Sequence, residues 1–143
     1  MDLEKWTVLL RALDRGSLSA AAEELGYTPS GVSRAVAALE EELGVPLLAR
    51  LHRGVVPTRE CQALLPMARE MVHLSSLLAQ RSDELRGLVS GSLSVGTAYH
   101  HYYPWLSRMI AGFTRRYPGV TINLLEGTSS ELCQAVRERR ADL

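Results

Sequence analysis

The stretch SLSAAAEELGYTPSGVSRAVAALEEELG, residues 17–44, decides how this chain folds. It divides into two short helices around a tight turn. Ser17 is placed to cap the first, because its side-chain oxygen can accept a backbone N–H that a helix start leaves unpaired. Leu18, Ala21, Ala22 and Leu25 then fall on one helical face, and the two alanines let a second helix approach closely. Gly26 supplies the left-handed conformation that ends one helix and turns the chain into the next. Thr28 is the next cap, and Pro29 takes the first helical position, where its missing N–H costs nothing. Val32, Val36, Leu39 and Leu43 mark the buried stripe of the second helix. The opposite face carries Ser30, Ser33, Arg34 and Ala37 near the helix N-terminus. Small hydroxyls, one arginine and a positive helix end suit a helix that enters the major groove of DNA end-on. By spacing alone, an ordinary helical hairpin with a solvated polar face fits the pattern equally well.

The run AAxxL, at Ala21, Ala22 and Leu25, is followed by TPSGVSRAVAALEEELGVPLLAR, residues 28–50. It closely resembles the N-terminal domain of LysR-type transcriptional regulators. The resemblance implies that Thr28, Pro29, Ser30, Ser33 and Arg34 face DNA. Upstream, Leu3, Trp6, Leu9, Leu10 and Leu13 form a helical apolar face ended by Gly16. In the family this helix completes a three-helix core, which places Trp6 in the core rather than on a ligand. Downstream, β-like pieces near residues 48–51 and 54–56, with His52, Arg53 and Gly54 at the bend, predict a wing. By resemblance, Arg50 and Arg53 sit where such a wing meets the phosphate backbone or minor groove; phosphate contacts hold register and base contacts specify sequence. Without the resemblance, solvated loop charge is the lesser alternative. Glu40, Glu41 and Glu42 run against the pattern, since negative charge at a helix C-terminus is mildly unfavourable and repels DNA. Nothing in the sequence explains what they contribute.

Composition confines the partners. The formal net charge of the 143 residues is zero, so any basic surface for DNA must be local. Lys5 is the only lysine, and arginine supplies the remaining basic charge, which favours planar hydrogen bonding. Cys61 and Cys133 lack metal-type spacing and are expected as reduced thiols, with a disulfide or sensor pair as the lesser alternative. No apolar run reaches membrane-spanning length, and MDLEKW lacks the basic-then-apolar pattern of a secretory signal. A soluble, cytoplasmic protein is the expectation, with no membrane partner and no metal.

Thr58 can cap a long helix over residues 59–86. Leu64, Met67, Met71, Leu74, Leu78, Arg81 and Leu85 recur there at spacings of four and three, a heptad seam interrupted by Arg81. Such a stripe needs a partner surface, either a second subunit or the chain's own other domain. In LysR-type regulators the equivalent helix pairs with its copy, which implies dimerisation through Leu64, Met67, Met71, Leu74 and Leu78 into a homodimer or homotetramer. Pro66 should kink this helix by removing the bond to the carbonyl of Gln62, and Cys61 stands where the family usually has glycine.

Residues 87–92, rich in Gly and Ser, read as a hinge. Beyond it a strand around Leu93 and Val95, a helix over residues 104–117 with Leu106, Met109, Ile110 and Phe113 inward, a strand over 120–125 and a helix over 131–139 argue for a parallel α/β sheet. This part resembles the start of the LysR-type effector-binding domain, related to periplasmic solute-binding proteins. Ala141, Asp142 and Leu143 would open a third strand, so the chain is expected to be a fragment whose sensor half is incomplete, with apolar faces that promote association. The expected architecture is a mainly α winged helix-turn-helix domain (1–58), a linker helix (59–86), a hinge (87–92) and an incomplete α/β domain (93–143).

By resemblance, a small-molecule effector is lined by Thr97, Tyr99 and His100 after the first strand and by Thr128 and Ser129 after the second. Hydroxyls and helix N-termini there suit a carboxylate. No cofactor is expected beyond this co-inducer, whose identity the residues do not reveal. Catalytic motifs of the GxSxG, HExxH, GxxxxGK[ST] and GxGxxG types are absent, so no catalytic residues are assigned. The leading reading is a sequence-specific regulator that binds double-stranded DNA and answers to an effector. Its alternatives are a non-specific architectural DNA binder and a solute-binding or interaction module that ignores DNA.

Overall fold

A computed structural model describes residues 2–52, 54–87, 89–98 and 102–143. The element order is α1 (Leu3–Arg15), α2 (Leu18–Leu25), α3 (Pro29–Leu43), β1 (Leu48–Leu51), β2 (Gly54–Pro57), α4 (Arg59–Leu85), β3 (Gly91–Thr97), α5 (Tyr103–Arg116), β4 (Val120–Glu126) and α6 (Ser129–Arg137). Two compact units result, Met1–Val72 and His73–Leu143. The break falls inside α4, between the expected boundaries at 58 and 86.

In the first unit the caps form where the residues dictate. The Ser17 hydroxyl accepts from the Ala20 N–H at 3.3 Å, and the Thr28 hydroxyl accepts from the Gly31 N–H at 3.1 Å. Gly26 closes α2 with a φ of 70°, which allows α3 to start three residues later. Val32, Val36 and Leu39 are buried, as are Ala21 and Ala22, so the two helices meet along the expected stripes. The α1 helix is buried over a wider arc than its apolar spacing suggests. Trp6, Leu9 and Leu10 join Val36, Leu39 and Leu47 in one cluster, while Val8 and Ala12 join Ala21, Ala22 and Val32 in another. Packed on two sides, α1 is the centre of the unit.

Contrary to the expectation of a separate linker, the first turns of α4 complete this core. Cys61 and Ala68 are buried in the first cluster, with Leu64, Leu65, Met71 and Val72 packed against it. Arg69 donates to the Asp14 carboxylate at 2.6 Å, tying α4 to α1 where both side chains are largely covered. The supposed seam is therefore split. Leu64 and Met71, expected at the dimer seam, are half-buried against the chain's own core, whereas Met67, Leu74 and Leu78 are 63%, 55% and 73% exposed. The heptad spacing could not separate these fates, because a helix can pack on its own domain and on a partner along adjacent stripes. The helix is assigned without a break through Pro66.

Burial pushes the Cys61 thiol up to about 11, with Arg69 opposing that effect and Glu40 adding to it. Cys133 is exposed, and both cysteines are free. A maleimide applied to the native chain at neutral pH is expected to label Cys133 and spare Cys61, because the thiolate is the nucleophile and access limits it. Both should label in urea. Equal native labelling, read by intact mass, would contradict the placement of Cys61.

The second unit pairs β3 and β4 in parallel, from Gly91 opposite Val120 to Thr97 opposite Glu126, with α5 as the connection. Gly91 and Ser92, read as hinge, are strand residues. Asp142 donates its N–H to the Ser94 carbonyl at 2.8 Å, and Gly96 donates to the Leu143 carbonyl at 2.7 Å. These bonds tie the last two residues to β3, but residues 141–143 form no strand and the sheet among the described residues has two strands, so the expected third strand does not form here. The α6 helix starts two residues before the expected position, since Thr128 caps it. The inward side of α5 departs from expectation. Met109 and Phe113 are exposed, and with Leu106, Ile110, Leu93 and Ile122 they border an open apolar cavity of about 420 Å³. Among the described residues, no helix is long and apolar enough to cross a membrane, and no cluster of three His, Cys, Asp or Glu could hold a metal.

Candidate nucleic-acid interface

The amino end of α3 is open. Thr28, Pro29, Ser30, Arg34 and Ala37 are exposed and Ser33 is half-buried. Thr28 and Ser30 share a hydroxyl contact at 3.1 Å beside the helix start. Arg34 makes no hydrogen bond or ion pair among the described residues, so its guanidinium is available to an incoming group.

β1 brings a second arginine to this surface. Arg50, exposed on β1, donates from Nη2 to the Ser33 hydroxyl at 3.1 Å. A hydroxyl accepting from arginine keeps its own proton to donate outward, toward a phosphate or base acceptor. The structure thus joins Ser33 and Arg50, which sequence spacing left unrelated. Arg53, the other expected wing residue, lies outside the described residues.

Two further residues, Tyr27 at this surface and Glu40 toward the far end of α3, have partners that the sequence reading did not foresee. Tyr27 is exposed beside the helix cap, its hydroxyl bonded to the Glu4 carboxylate, which holds the phenol above its ordinary value. Glu40 receives the N–H groups of Leu47 and Leu48 on one carboxylate oxygen, at 2.7 and 3.1 Å. That gives the first acid of the unexplained run a role. Its clue was the unfavourable position itself, which marks a carboxylate held for something other than the helix dipole.

In the second unit, Thr97 ends β3 in register with Glu126, and Glu126 accepts a hydrogen bond from the Tyr103 hydroxyl, which raises the Tyr103 pKa. Ser129 is exposed at the start of α6. The Thr128 N–H and hydroxyl each donate to the Glu131 carboxylate at 2.7 Å. Those bonds, the backbone one foremost, hold Glu131 below its ordinary pKa. Two of the donors expected to receive a carboxylate ligand, both on Thr128, are thus engaged by a carboxylate of the chain itself. Tyr99 and His100 lie outside the described residues.

Comparison with known proteins places these features. Residues 3–62 match the family described as bacterial regulatory helix-turn-helix protein, lysR family, and residues 86–143 match the LysR substrate binding domain. The chain belongs to the LysR family. All 143 residues align at 34% identity with 49% of a probable HTH-type transcriptional regulator, LrrA, of Synechococcus elongatus. Among solved structures, a hydrogen-peroxide-bound mutant of Corynebacterium glutamicum OxyR superposes with a TM-score of 0.70 at 24% identity, covering 98% of this chain and 44% of that one, which shows the shared fold. A CbnR_DBD–DNA complex matches at 31% identity with a TM-score of 0.55, over 60% of this chain and 99% of that one. This LysR-family chain spans about half the length of the curated relatives it matches.

Proposed function

We propose that this LysR-family chain is the DNA-reading half, with the beginning of the effector-binding half, of a sequence-specific transcriptional regulator. The observation that carries the proposal is the open amino end of α3, where Arg34, without a partner among the described residues, stands beside the bonded Ser33–Arg50 pair. In this reading α3 enters the major groove by its N-terminus, Arg34 pairs with a guanine edge, and Ser30 and Ser33 donate to bases or phosphate. Thr28 and Pro29 fix the helix start, and Arg50, with Arg53, holds the backbone. A relative's DNA-binding domain was solved on DNA, which supports the same partner for this chain.

Two copies would join through the exposed part of α4, at Met67, Leu74 and Leu78, as a homodimer or within a homotetramer. A small-molecule effector would bind at the carboxyl ends of β3 and β4, near Thr97, Thr128 and Ser129, and change the spacing of the DNA-binding heads. The reading places the protein in the cytoplasm and assigns it neither catalysis nor a cofactor beyond that effector.

A gel-shift titration with the DNA flanking its own gene, against scrambled competitor, tests the proposal. Retention of the shift under scrambled competitor supports it. Binding that follows salt and ignores sequence indicates an architectural binder, and no shift at all overturns DNA recognition.

A further inference from the structure

Glu40 and Ser33 lie seven residues apart on α3, two helical turns, and so share one stripe about 10 Å long. β1 and the residue before it are fastened to both ends of that stripe. At one end the Glu40 carboxylate takes the Leu47 and Leu48 N–H groups, and at the other Arg50 reaches the Ser33 hydroxyl. Leu47 is fully buried and lies in the connection between α3 and β1, so its N–H requires an internal partner that no helix supplies. Only Ala49 separates Leu48 from Arg50 along a strand with little slack. Holding the start of β1 therefore sets where the Arg50 guanidinium stands relative to α3.

From this geometry we infer that Glu40 is a positioning residue for DNA recognition, acting on Arg50 through β1. The inference rests on the DNA-reading surface proposed above. What Glu40 supplies is reach and an acceptor oxygen. Its negative charge is incidental, and its distance from the amino end of α3 keeps that charge clear of the duplex.

Glu40→Gln keeps the reach and an acceptor oxygen while losing the charge; Glu40→Asp keeps the charge and loses one methylene of reach. Full-chain protein is titrated by fluorescence anisotropy against duplex from the region flanking its own gene. Glu40→Asp is expected to weaken binding about tenfold, the scale of one intramolecular hydrogen bond, and Glu40→Gln to stay close to the parent. The Asp variant should also lose close to one phosphate contact from its salt dependence, a slope change of about 0.9. In an Arg50→Ala background the Asp substitution should cost nothing further, because the group it positions is gone. Amide exchange, which needs no DNA, should show faster exchange at Leu47 and Leu48 in the Asp variant only. Additive losses in the double variant, or Gln weaker than Asp, would overturn the positioning role. Parent protein without DNA affinity would overturn the regulator reading, and unchanged exchange in the Asp variant would sink the inference by itself.

Discussion

Arg34→Ala is expected to lower discrimination between the cognate site and scrambled duplex by about 1–3 kcal/mol, roughly 5- to 150-fold in the affinity ratio. The expectation follows from position and from the absence of partners among the described residues. Arg34 is exposed on the second turn of α3, whose amino end carries the positive helix dipole outward. Removing its side chain leaves the Ser33–Arg50 bond and the Thr28 cap in place, so the fold should be indifferent. The loss should therefore appear in the ratio of affinities while the melting temperature holds. A phosphate contact would behave differently, weakening cognate and scrambled duplex alike and flattening the salt slope. Competition titrations at two salt concentrations separate these cases, and an unchanged ratio would remove Arg34 from the reading set.

The helix-turn-helix was legible because its devices are local. Ser17, Gly26, Thr28 and Pro29 each act on a backbone within a few residues, and the alanine and valine stripes need only helical spacing. The contact between Ser33 and Arg50 was hidden, because it depends on how the β1–β2 hairpin folds back on α3. Glu40 was hidden for the same reason, its partners lying seven and eight residues away across a proline-broken turn. The long helix misled in a different way. Its apolar period was read correctly, yet Leu64 and Met71 pack on the chain's own core beside Cys61 and Ala68, which leaves Met67, Leu74 and Leu78 outward.

The second unit shows the same division between local and distant information. The strand, helix, strand, helix order followed from the sequence pattern, although Thr128, whose capping box with Glu131 is complete, starts α6 two residues before the expected position. The chemistry of the α6 start did not follow. A hydroxyl at a helix N-terminus reads as an anion site only until a carboxylate three residues on is seen to occupy it. An anionic effector at Thr128 would have to displace Glu131 or bind beside it, with its affinity reduced by the like charge.

Gly54→Ala is expected to be the most damaging single change in the first unit outside its apolar core. Gly54 opens β2 with a φ of 110°, a conformation side-chain-bearing residues rarely adopt. A Cβ there would stand 2.2 Å from the Gly16 carbonyl oxygen, far inside van der Waals contact with backbone that cannot swing away. That carbonyl also accepts the Val55 N–H at 3.0 Å, which fastens the hairpin to the turn between α1 and α2. The alanine therefore imposes about 1–3 kcal/mol of backbone strain. Relief by moving the hairpin away breaks a bond of about 1 kcal/mol and opens the cover over Val55, which is buried. Either route lowers the urea midpoint of the first unit, and the second also carries Arg50 away from Ser33. DNA affinity should then fall together with its salt slope while α3 keeps its helicity. Gly112 offers the contrast, since a Cβ there meets nothing within 4 Å in the middle of α5. Gly112→Ala should be neutral or stabilise by about 0.5–1 kcal/mol through the unfolded chain. If Gly54→Ala unfolded at the same urea concentration as the parent, the hairpin could not be seated against the Gly16 turn.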